Sequence, residues 1–297
     1  MNYRQKTQWL RVASYALSCI STTLLFLAFM LDFDATNGYF EGGALSIAFI
    51  AVFVLGFVPP IAGLFVNKKD AIVKELPNPD GNKNALAIFG TLLILAGVGE
   101  ILFDKTAHET ISMLVGIGIC GFGIYFLILA IKSRADLTLP KLFALLLGAC
   151  IPVGMILGNN ANYHRHINSV ENALSAIFAV CALLYILYEG NFAFKSVFGG
   201  VYFPAALVAL HSGTTISLAY ICAYICGIVS EETRFYQMLL VLLLCVAIRV
   251  RLGDVVKSTD EKTAEEWLEI ENPPLPEETV EEIEETEEIE EQKETDE

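Results

Sequence analysis

Eight long apolar segments between residues 10 and 248 restrict the fold of this chain more than any other feature. A helix that spans a bilayer needs about 20 predominantly apolar residues, with about 17 to 25 tolerated, and one soluble domain cannot bury eight such runs. The predicted spans are 10–31, 44–66, 85–103, 110–131, 142–157, 173–188, 202–229 and 235–248. The sequence therefore predicts an all-α polytopic membrane protein with eight transmembrane helices.

The predicted spans are not equally regular. The fifth, sixth and eighth are short as drawn, and we expect their polar flanks to complete them. Prolines predict kinks in the second, fifth and seventh spans, at Pro59 and Pro60, at Pro152 and at Pro204. Residues 191–200 carry three phenylalanines and are interpreted as an interfacial segment that leads into the seventh span.

The formal net charge of −15 belongs to the C-terminal tail and not to the hydrophobic body. Residues 259–297 hold 19 acidic residues and two lysines, whereas residues 1–258 carry a net charge of +2. Because so acidic a segment cannot bury a core, we predict a disordered acidic cytoplasmic tail over residues 258–297. Such a tail is either a solubilising extension or a segment that binds a basic cytoplasmic protein.

Lysines and arginines in the links between spans indicate the orientation, because short cytoplasmic loops are enriched in them. With the N-terminus inside, fourteen of these basic residues fall on the inner side, and only Lys105, Arg165 and Arg234 fall outside. The C-terminus is then also cytoplasmic, which requires an even number of crossings. The sequence thus predicts a multi-pass protein embedded in the lipid bilayer of the cell membrane.

Three landmarks recur in the same order along the chain and indicate an internal duplication. Residues 41–46 resemble 171–175, residues 109–110 resemble 232–233, and residues 130–136 resemble 247–254. The corresponding domains are a first four-helix membrane unit at 1–140 and a second at 141–257. Because each unit makes four crossings, the two would be parallel repeats related by an axis along the membrane normal.

Two ionisable residues lie inside predicted spans, where a charge is costly and is often functional. Glu100 lies near the outer end of the third span, and His211 lies in the seventh span, followed by Ser212, Thr214 and Thr215. We interpret the latter four as a solute-binding patch on a partly unwound helix, with Glu100 as a gate or proton relay. Alternatively, the hydroxyls bond to their own helix and His211 bonds to a neighbouring one.

Small residues in the fourth span predict close helix packing. Gly116, Gly118, Gly121 and Gly123 recur within eight residues, and no strand or lysine accompanies them as a phosphate-binding loop would require. We therefore expect a tight seam between neighbouring helices here.

The kinked and polar seventh span favours a transporter-like or channel-like function for a small solute. The sequence contains no phosphate-binding loop, kinase signature or serine-hydrolase motif, so no enzyme activity is expected. One alternative is a non-transporting scaffold or accessory subunit that recruits a partner through its tail. Another is an intramembrane enzyme that acts on lipid through an outer loop containing His164 and His166. We expect no cofactor, no metal site and no nucleic-acid partner.

Overall fold

The computed structural model describes residues 3–34, 39–66, 71–75, 83–103, 109–131, 138–161, 170–195, 197–198, 202–230, 232–257 and 259–263. Within these ranges the chain forms α1 (Tyr3–Leu31), α2 (Ala44–Leu55), α3 (Val58–Val66), α4 (Lys83–Phe103), α5 (Glu109–Ile131), α6 (Thr138–Gly148), α7 (Cys150–Ala161), α8 (Val170–Lys195), α9 (Tyr202–Ile225) and α10 (Glu232–Lys257). The predicted His164/His166 loop lies outside the described residues, as does the tail from residue 264 onward. The fold is therefore helical, as the sequence predicts.

Within the described residues, four short strands lie in the links between helices and a fifth follows α10. They are β1 (Phe33–Asp34), β2 (Tyr39–Phe40), β3 (Ala71–Glu75), β4 (Val197–Phe198) and β5 (Thr259–Thr263). Strands β1 and β2 form an antiparallel hairpin, with Phe33 opposite Phe40, and the others form a sheet in the order β4-β3-β5. Interresidue contacts divide the chain into Met1–Glu261, which contains all ten described helices, and Lys262–Glu297. The duplicated units at 1–140 and 141–257 stay a prediction.

Seven helical stretches in the described part of the chain are long and apolar enough to cross a bilayer. They are Gln8–Leu31, Ala44–Phe65, Lys83–Leu102, Ile111–Ala130, Leu139–Gly158, Asn172–Asn191 and Tyr202–Ile225. They match the first seven predicted spans, with α2 and α3 forming the second and α6 and α7 forming the fifth. The predicted eighth span lies within α10, which is not one of the seven, so the eighth crossing stays a prediction.

The outer surface of the helices is apolar over its length. Large hydrophobic side chains are widely exposed, among them Phe65 at 81%, Leu139 at 80% and Ile225 at 72%. A soluble monomer rarely exposes contiguous apolar surface on this scale, whereas lipid tails cover such a surface without cost. Together with the seven long apolar stretches, this surface makes the chain a multi-pass membrane protein.

Prolines account for the two helix breaks inside spans. Because proline lacks an N–H and its ring clashes with the carbonyl four residues earlier, Pro59 and Pro60 disrupt the helix at residues 55 and 56. Helix α2 ends at Leu55 and α3 begins at Val58. Pro152 acts in the same way, because α6 ends at Gly148 and α7 begins at Cys150. The kinks expected in the second and fifth spans are confirmed.

The expected kink in the seventh span is wrong, and the reason is positional. Pro204 lies in the first turn of α9, where its N–H would have no intrahelical partner, so the helix accepts it without a break. Residues 191–195 continue α8 and Val197–Phe198 form β4, and the location of residues 191–200 at the membrane interface stays a prediction. Polar flanks complete the short fifth and sixth segments, since the membrane-length stretches Leu139–Gly158 and Asn172–Asn191 extend beyond them. Helix α10 is 26 residues long, but completion of the eighth span stays a prediction.

Side-chain contacts define two ends of the helical bundle. At the near end, where α1 begins, Gly63 packs beside Leu10 and Pro204, and the Arg249 guanidinium lies 4.7 Å from the centre of the Tyr15 ring. At the far end, the Phe29 and Tyr220 rings are 6.2 Å apart, and the Tyr224 and Phe235 rings are 4.3 Å apart. Helices α1 and α9 therefore run parallel, and α10 runs back, so α10 ends where α1 begins.

The glycines of α5 form the expected packing seam. A Cβ on Gly97 would lie 2.6 Å from the carbonyl oxygen of Gly116, and a Cβ on Gly123 would lie 2.6 Å from that of Gly90. A Cβ on Gly118 would meet the α7 backbone at the same distance. Since real Cβ contacts are not this short, glycine is what allows α4, α5 and α7 to approach so closely.

Candidate functional site

Helix α9 is the centre of the bundle, and it carries four of the five residues predicted to bind a solute. Seventeen of its 24 residues are buried, and it packs against α1, α3, α8 and α10. His211, Ser212 and Thr215 are 0% exposed. The structure therefore places these three side chains inside protein and not against lipid, as a binding site would require.

His211 joins three helices through both of its ring nitrogens. Its Nδ1 lies 2.8 Å from the Ser18 hydroxyl of α1, and its Nε2 lies 3.0 Å from the Phe53 carbonyl oxygen of α2. The ring also stacks on Phe53 at 5.2 Å and meets Phe57 edge-on at 5.1 Å. The alternative expectation, that His211 bonds to a neighbouring helix, matches this geometry.

The break between α2 and α3 creates the space that His211 fills. The Gly56 N–H bonds to the carbonyls of Val52 and Phe53, and the Phe57 N–H bonds to Val54. The Phe53 carbonyl therefore does not accept the Phe57 N–H, which would be its partner in a regular helix. It accepts a hydrogen bond from the His211 Nε2–H instead. A Cβ at Gly56 would lie 2.0 Å from Nε2, so only glycine leaves room for the ring.

The three hydroxyl groups that follow His211 differ in their hydrogen-bond partners. Ser212 donates to the Val208 carbonyl at 2.9 Å, and Thr214 donates to the Leu210 carbonyl at 2.5 Å. The Thr215 hydroxyl has no hydrogen-bond partner among the described residues. Helix α9 is continuous through all of them, so the partly unwound helix expected here is wrong. The carbonyls stay in the helix, because the only proline of α9 lies in its first turn and does not disturb them.

Glu100 lies apart from the other predicted site residues. It is half-buried near the end of α4, whose main packing partners are α5 and α10. Helix α9 has different main partners, as given above. The structure therefore does not bring Glu100 and His211 together in one site.

A buried charged cluster at the near end was not predicted. Arg251 of α10 bonds through Nε to the Glu189 carboxylate of α8 at 2.8 Å, and through Nη1 to the Asp254 carboxylate at 3.1 Å. Tyr125 of α5 and Tyr202 of α9 both donate to Glu189. The three charged side chains are 0% exposed. We call these five residues the near-end cluster.

The sequence analysis missed this cluster for a physical reason. Hydropathy ends the sixth span at Tyr188, so Glu189 was assigned to a link, and Arg251 was counted as a solvent-exposed inner charge. One signal was present: Arg251 and Asp254 are three residues apart on a helix and so share a face. Glu189, the first acidic residue after an apolar run, was a candidate to meet that face at the same end.

The cluster is chemically capable of two-state behaviour. One arginine and two carboxylates give it a net charge of −1 if all three are ionised. Tyr202 donates to one carboxylate oxygen of Glu189, and Tyr125 and Arg251 both donate to the other. Breaking a buried pair leaves an uncompensated charge, so the closed arrangement is strongly held while it is complete. The same groups would be well solvated if α8 and α10 separated. In this structure the cluster therefore joins α5, α8, α9 and α10 at the near end through buried polar contacts.

The far end contains a small cavity with one charged group. The cavity measures about 10 Å³, about the space that one water occupies, and its lining includes Leu25, Ile216, Tyr220 and Arg234. The Arg234 guanidinium bonds to the Asn172 amide oxygen at 2.8 Å. Within the described residues, no group of three or more His, Cys, Asp or Glu side chains is arranged to hold a metal ion.

Comparisons with known protein families, with curated proteins and with solved structures find no match to this chain. The class that fold and surface define is a multi-pass α-helical membrane protein. Within this class, the features that distinguish the chain are the near-end cluster and the junction of α1, α2 and α9 at His211.

Proposed function

We propose that this chain is a transporter-like membrane protein for a small solute, in a closed conformation. The near-end cluster carries the proposal. Buried ion pairs contribute little net stability compared with apolar packing, and ionisable residues inside membrane proteins commonly mark ion or substrate paths. A set of three buried charges shared by α8 and α10, with phenols from α5 and α9, is therefore better explained by function than by stability.

The same proposal includes eight crossings with both termini in the cytoplasm. Helix α10 is 26 residues long, or about 39 Å at 1.5 Å per residue, which is enough to cross the hydrocarbon core. The contact of Arg249 with Tyr15 supports a return of the chain to the side from which α1 starts. The bias of lysine and arginine toward that side supports its assignment as cytoplasmic. The near-end cluster would then be an inner gate.

The solute-binding region is proposed to lie along the buried face of α9. His211 and Thr215 are one turn apart on this face, about 14 Å and 20 Å from Tyr202 along the helix. Ser212 and Thr214 bond to their own helix, so we assign them a supporting position. Glu100 lies on another helix and is proposed only as a separate gating group.

Flux measurements in proteoliposomes test the proposal directly. The purified protein is reconstituted and assayed with amino acids, sugars, nucleosides, organic acids and inorganic ions. We expect flux of at least one of these, reduced by His211→Ala and by Glu189→Gln, and unchanged by Arg249→Met, which alters a basic residue outside both sites. All variants are first compared by size-exclusion chromatography, so that a misfolded protein is not counted as an inactive one.

The second candidate is a membrane scaffold or accessory subunit, and the glycine seam favours it. Gly90, Gly97, Gly116 and Gly123 hold α4 and α5 in direct backbone contact, as in a rigid support. No flux for any solute, together with a bound protein that is lost when residues 264–297 are removed, would replace the transporter proposal with this one.

A further inference from the structure

With a neutral ring, the His211 junction has two hydrogens to donate, one on Nε2 and one on the Ser18 hydroxyl, but three acceptors within reach. The Phe53 carbonyl can only accept, so His211 Nε2 carries a hydrogen and donates to it at 3.0 Å. The Ser18 hydroxyl has a single hydrogen but two acceptors in reach. These are His211 Nδ1 at 2.8 Å and the Ser14 carbonyl oxygen, also at 2.8 Å.

Two proton states fit the same positions of the heavy atoms. With a neutral ring, Ser18 donates its hydrogen to Nδ1, and the Ser14 carbonyl remains an acceptor within α1. With a protonated ring, the Nδ1–H donates to the Ser18 oxygen, and the hydroxyl hydrogen turns to the Ser14 carbonyl. The only change is rotation of one hydroxyl, because serine both donates and accepts. No buried group loses its partner in either state.

We propose that His211 is a proton-binding site of this chain, with Ser18 as the positioning residue that adjusts to the bound proton. The step is balanced: a hydronium ion gives up a proton as one of its O–H bonds breaks, one N–H bond forms at Nδ1, no covalent bond of the protein other than this one changes, and the junction gains one positive charge. The inference rests on the proposed function in one respect, that the proton then serves as the coupling ion. Proton binding itself requires no solute.

The other helices around the ring supply few titratable groups. From α1, α2 and α3 the ring meets Ser18, the Phe53 carbonyl and the rings of Phe53 and Phe57, none of which ionises in the physiological range. Ser212 and Gly213, the next two residues of α9 after His211, each lie beside a titratable thiol. Cys181 of α8 lies beside Ser212, and Cys245 of α10 lies beside Gly213. The charges of Arg249 and Arg11 lie toward the near end, around Tyr15.

Buried hydroxyls continue from the junction toward the far end. Ser21 of α1 and Thr215 of α9 follow Ser18 and His211 by about one turn on the same faces, since residues three and four apart are neighbours on a helix. Both are 0% exposed, and neither hydroxyl has a hydrogen-bond partner among the described residues. Leu25, one turn beyond Ser21, and Ile216, the residue after Thr215, line the far-end cavity, which has room for a water. The Ser21 and Thr215 hydroxyls therefore lie on α1 and α9 between His211 and the residues that line the cavity.

Nitrogen-15 NMR of histidine-labelled protein in lipid membranes tests the proposal without any transported solute. The spectrum of His211→Asn, subtracted from that of the wild type, assigns the His211 signal among the four histidines. We expect this signal to convert from a neutral to an imidazolium pattern as the pH is lowered from about 8 toward the most acidic pH at which the protein stays folded. Ser18→Ala removes the acceptor of the Nδ1–H. Both states of the ring lose a hydrogen bond, but a bond that involves a charged group is roughly twice as strong as a neutral one, so we expect the ratio of protonated to neutral ring at a given pH to fall by roughly fivefold to tenfold.

Two control variants separate this role from a general effect of mutation. Ser18→Thr keeps the hydroxyl and should retain the wild-type ratio. Ser217→Ala removes a buried hydroxyl of α9 that bonds to the Gly213 carbonyl, and should also leave the ratio unchanged. The proposal is wrong if the wild-type ring stays neutral at every pH at which the protein is folded, or if Ser18→Ala and Ser217→Ala change the ratio equally. A titrating ring in a protein without flux would refute transport and leave the proton site standing.

Discussion

Replacement of Arg251 by methionine is the most direct test of the near-end cluster. Methionine fills a similar length of apolar space but leaves the Glu189 carboxylate with only its two tyrosine donors. The lost contacts are the 2.8 Å ion pair with Glu189 and the 3.1 Å ion pair with Asp254, and the first of these is the shorter. For unit charges at that separation, Coulomb's law gives about 6 kcal/mol at an effective dielectric constant of about 20. Observed losses on breaking one side of a buried pair are about 3–5 kcal/mol.

Thermal unfolding in detergent, followed by intrinsic fluorescence, provides the assay. One kcal/mol shifts the unfolding midpoint by about 2–4 °C in chains of 150–250 residues, so Arg251→Met should lower the midpoint by roughly 6–20 °C. Arg249→Met is the matched control, because it removes the same side chain two residues earlier. There the loss is a contact of an exposed arginine with the Tyr15 ring, which contributes about 0.5–1 kcal/mol.

A double-mutant cycle then separates the ion pair from general disruption. When Glu189→Gln accompanies Arg251→Met, no charge is left on Glu189, so the double variant should lose less stability than the two single losses added together. The reasoning is refuted if Arg251→Met unfolds at the same midpoint as Arg249→Met. It is also refuted if the two single losses are additive, because additivity would mean that the charges do not interact.

Two further predictions concern the break in the second span and the orientation. Gly56→Ala should lower the unfolding midpoint, because its Cβ would displace the His211 ring at a cost of about 1–3 kcal/mol. At Gly99, a Cβ would have nothing within 4 Å, so Gly99→Ala should raise the free energy of unfolding by up to about 1 kcal/mol. Equal effects of the two substitutions would contradict the packing argument. In a cysteine-free background, a membrane-impermeant thiol reagent applied to intact cells should label Glu41→Cys and spare Lys83→Cys. The reverse pattern would invert the proposed orientation.

Hydropathy and proline positions predict the helical framework of this chain well. Each of the seven membrane-length stretches matches a predicted span, because length and apolar content alone determine whether a segment can cross. The breaks before Pro59 and Pro152 follow from backbone chemistry that does not depend on neighbours. Pro204 shows the limit of this reasoning. The same residue kinks a helix interior or opens a helix, and only the position of the helix start decides which.

The polar sites are less predictable, because they depend on which helices meet. His211 was identified as unusual, but its partners are a serine of α1 and a carbonyl released by a break in α2, neither of which has a sequence signature. Glu189 was assigned to a link because a hydropathy window ends a span at its first charge. No spacing rule relates residue 189 to residue 251. Their contact follows from the packing of both α8 and α10 against α9, which the sequence pattern does not specify.

The tight interior and the buried charges impose different requirements on the bundle. Helices α8 and α10 both pack extensively against α9, so the near-end cluster is not the main contact that holds them in the bundle. A purely static bundle would gain by replacing Glu189 and Arg251 with apolar side chains of similar volume, since buried pairs seldom exceed such packing in stability. A bundle that opens at its near end has a different requirement. It needs an interface that is firmly closed when dry and readily solvated when wet, and ionised side chains meet that requirement where leucines would not. The cluster between α8 and α10 therefore favours a protein with two conformations over a rigid support.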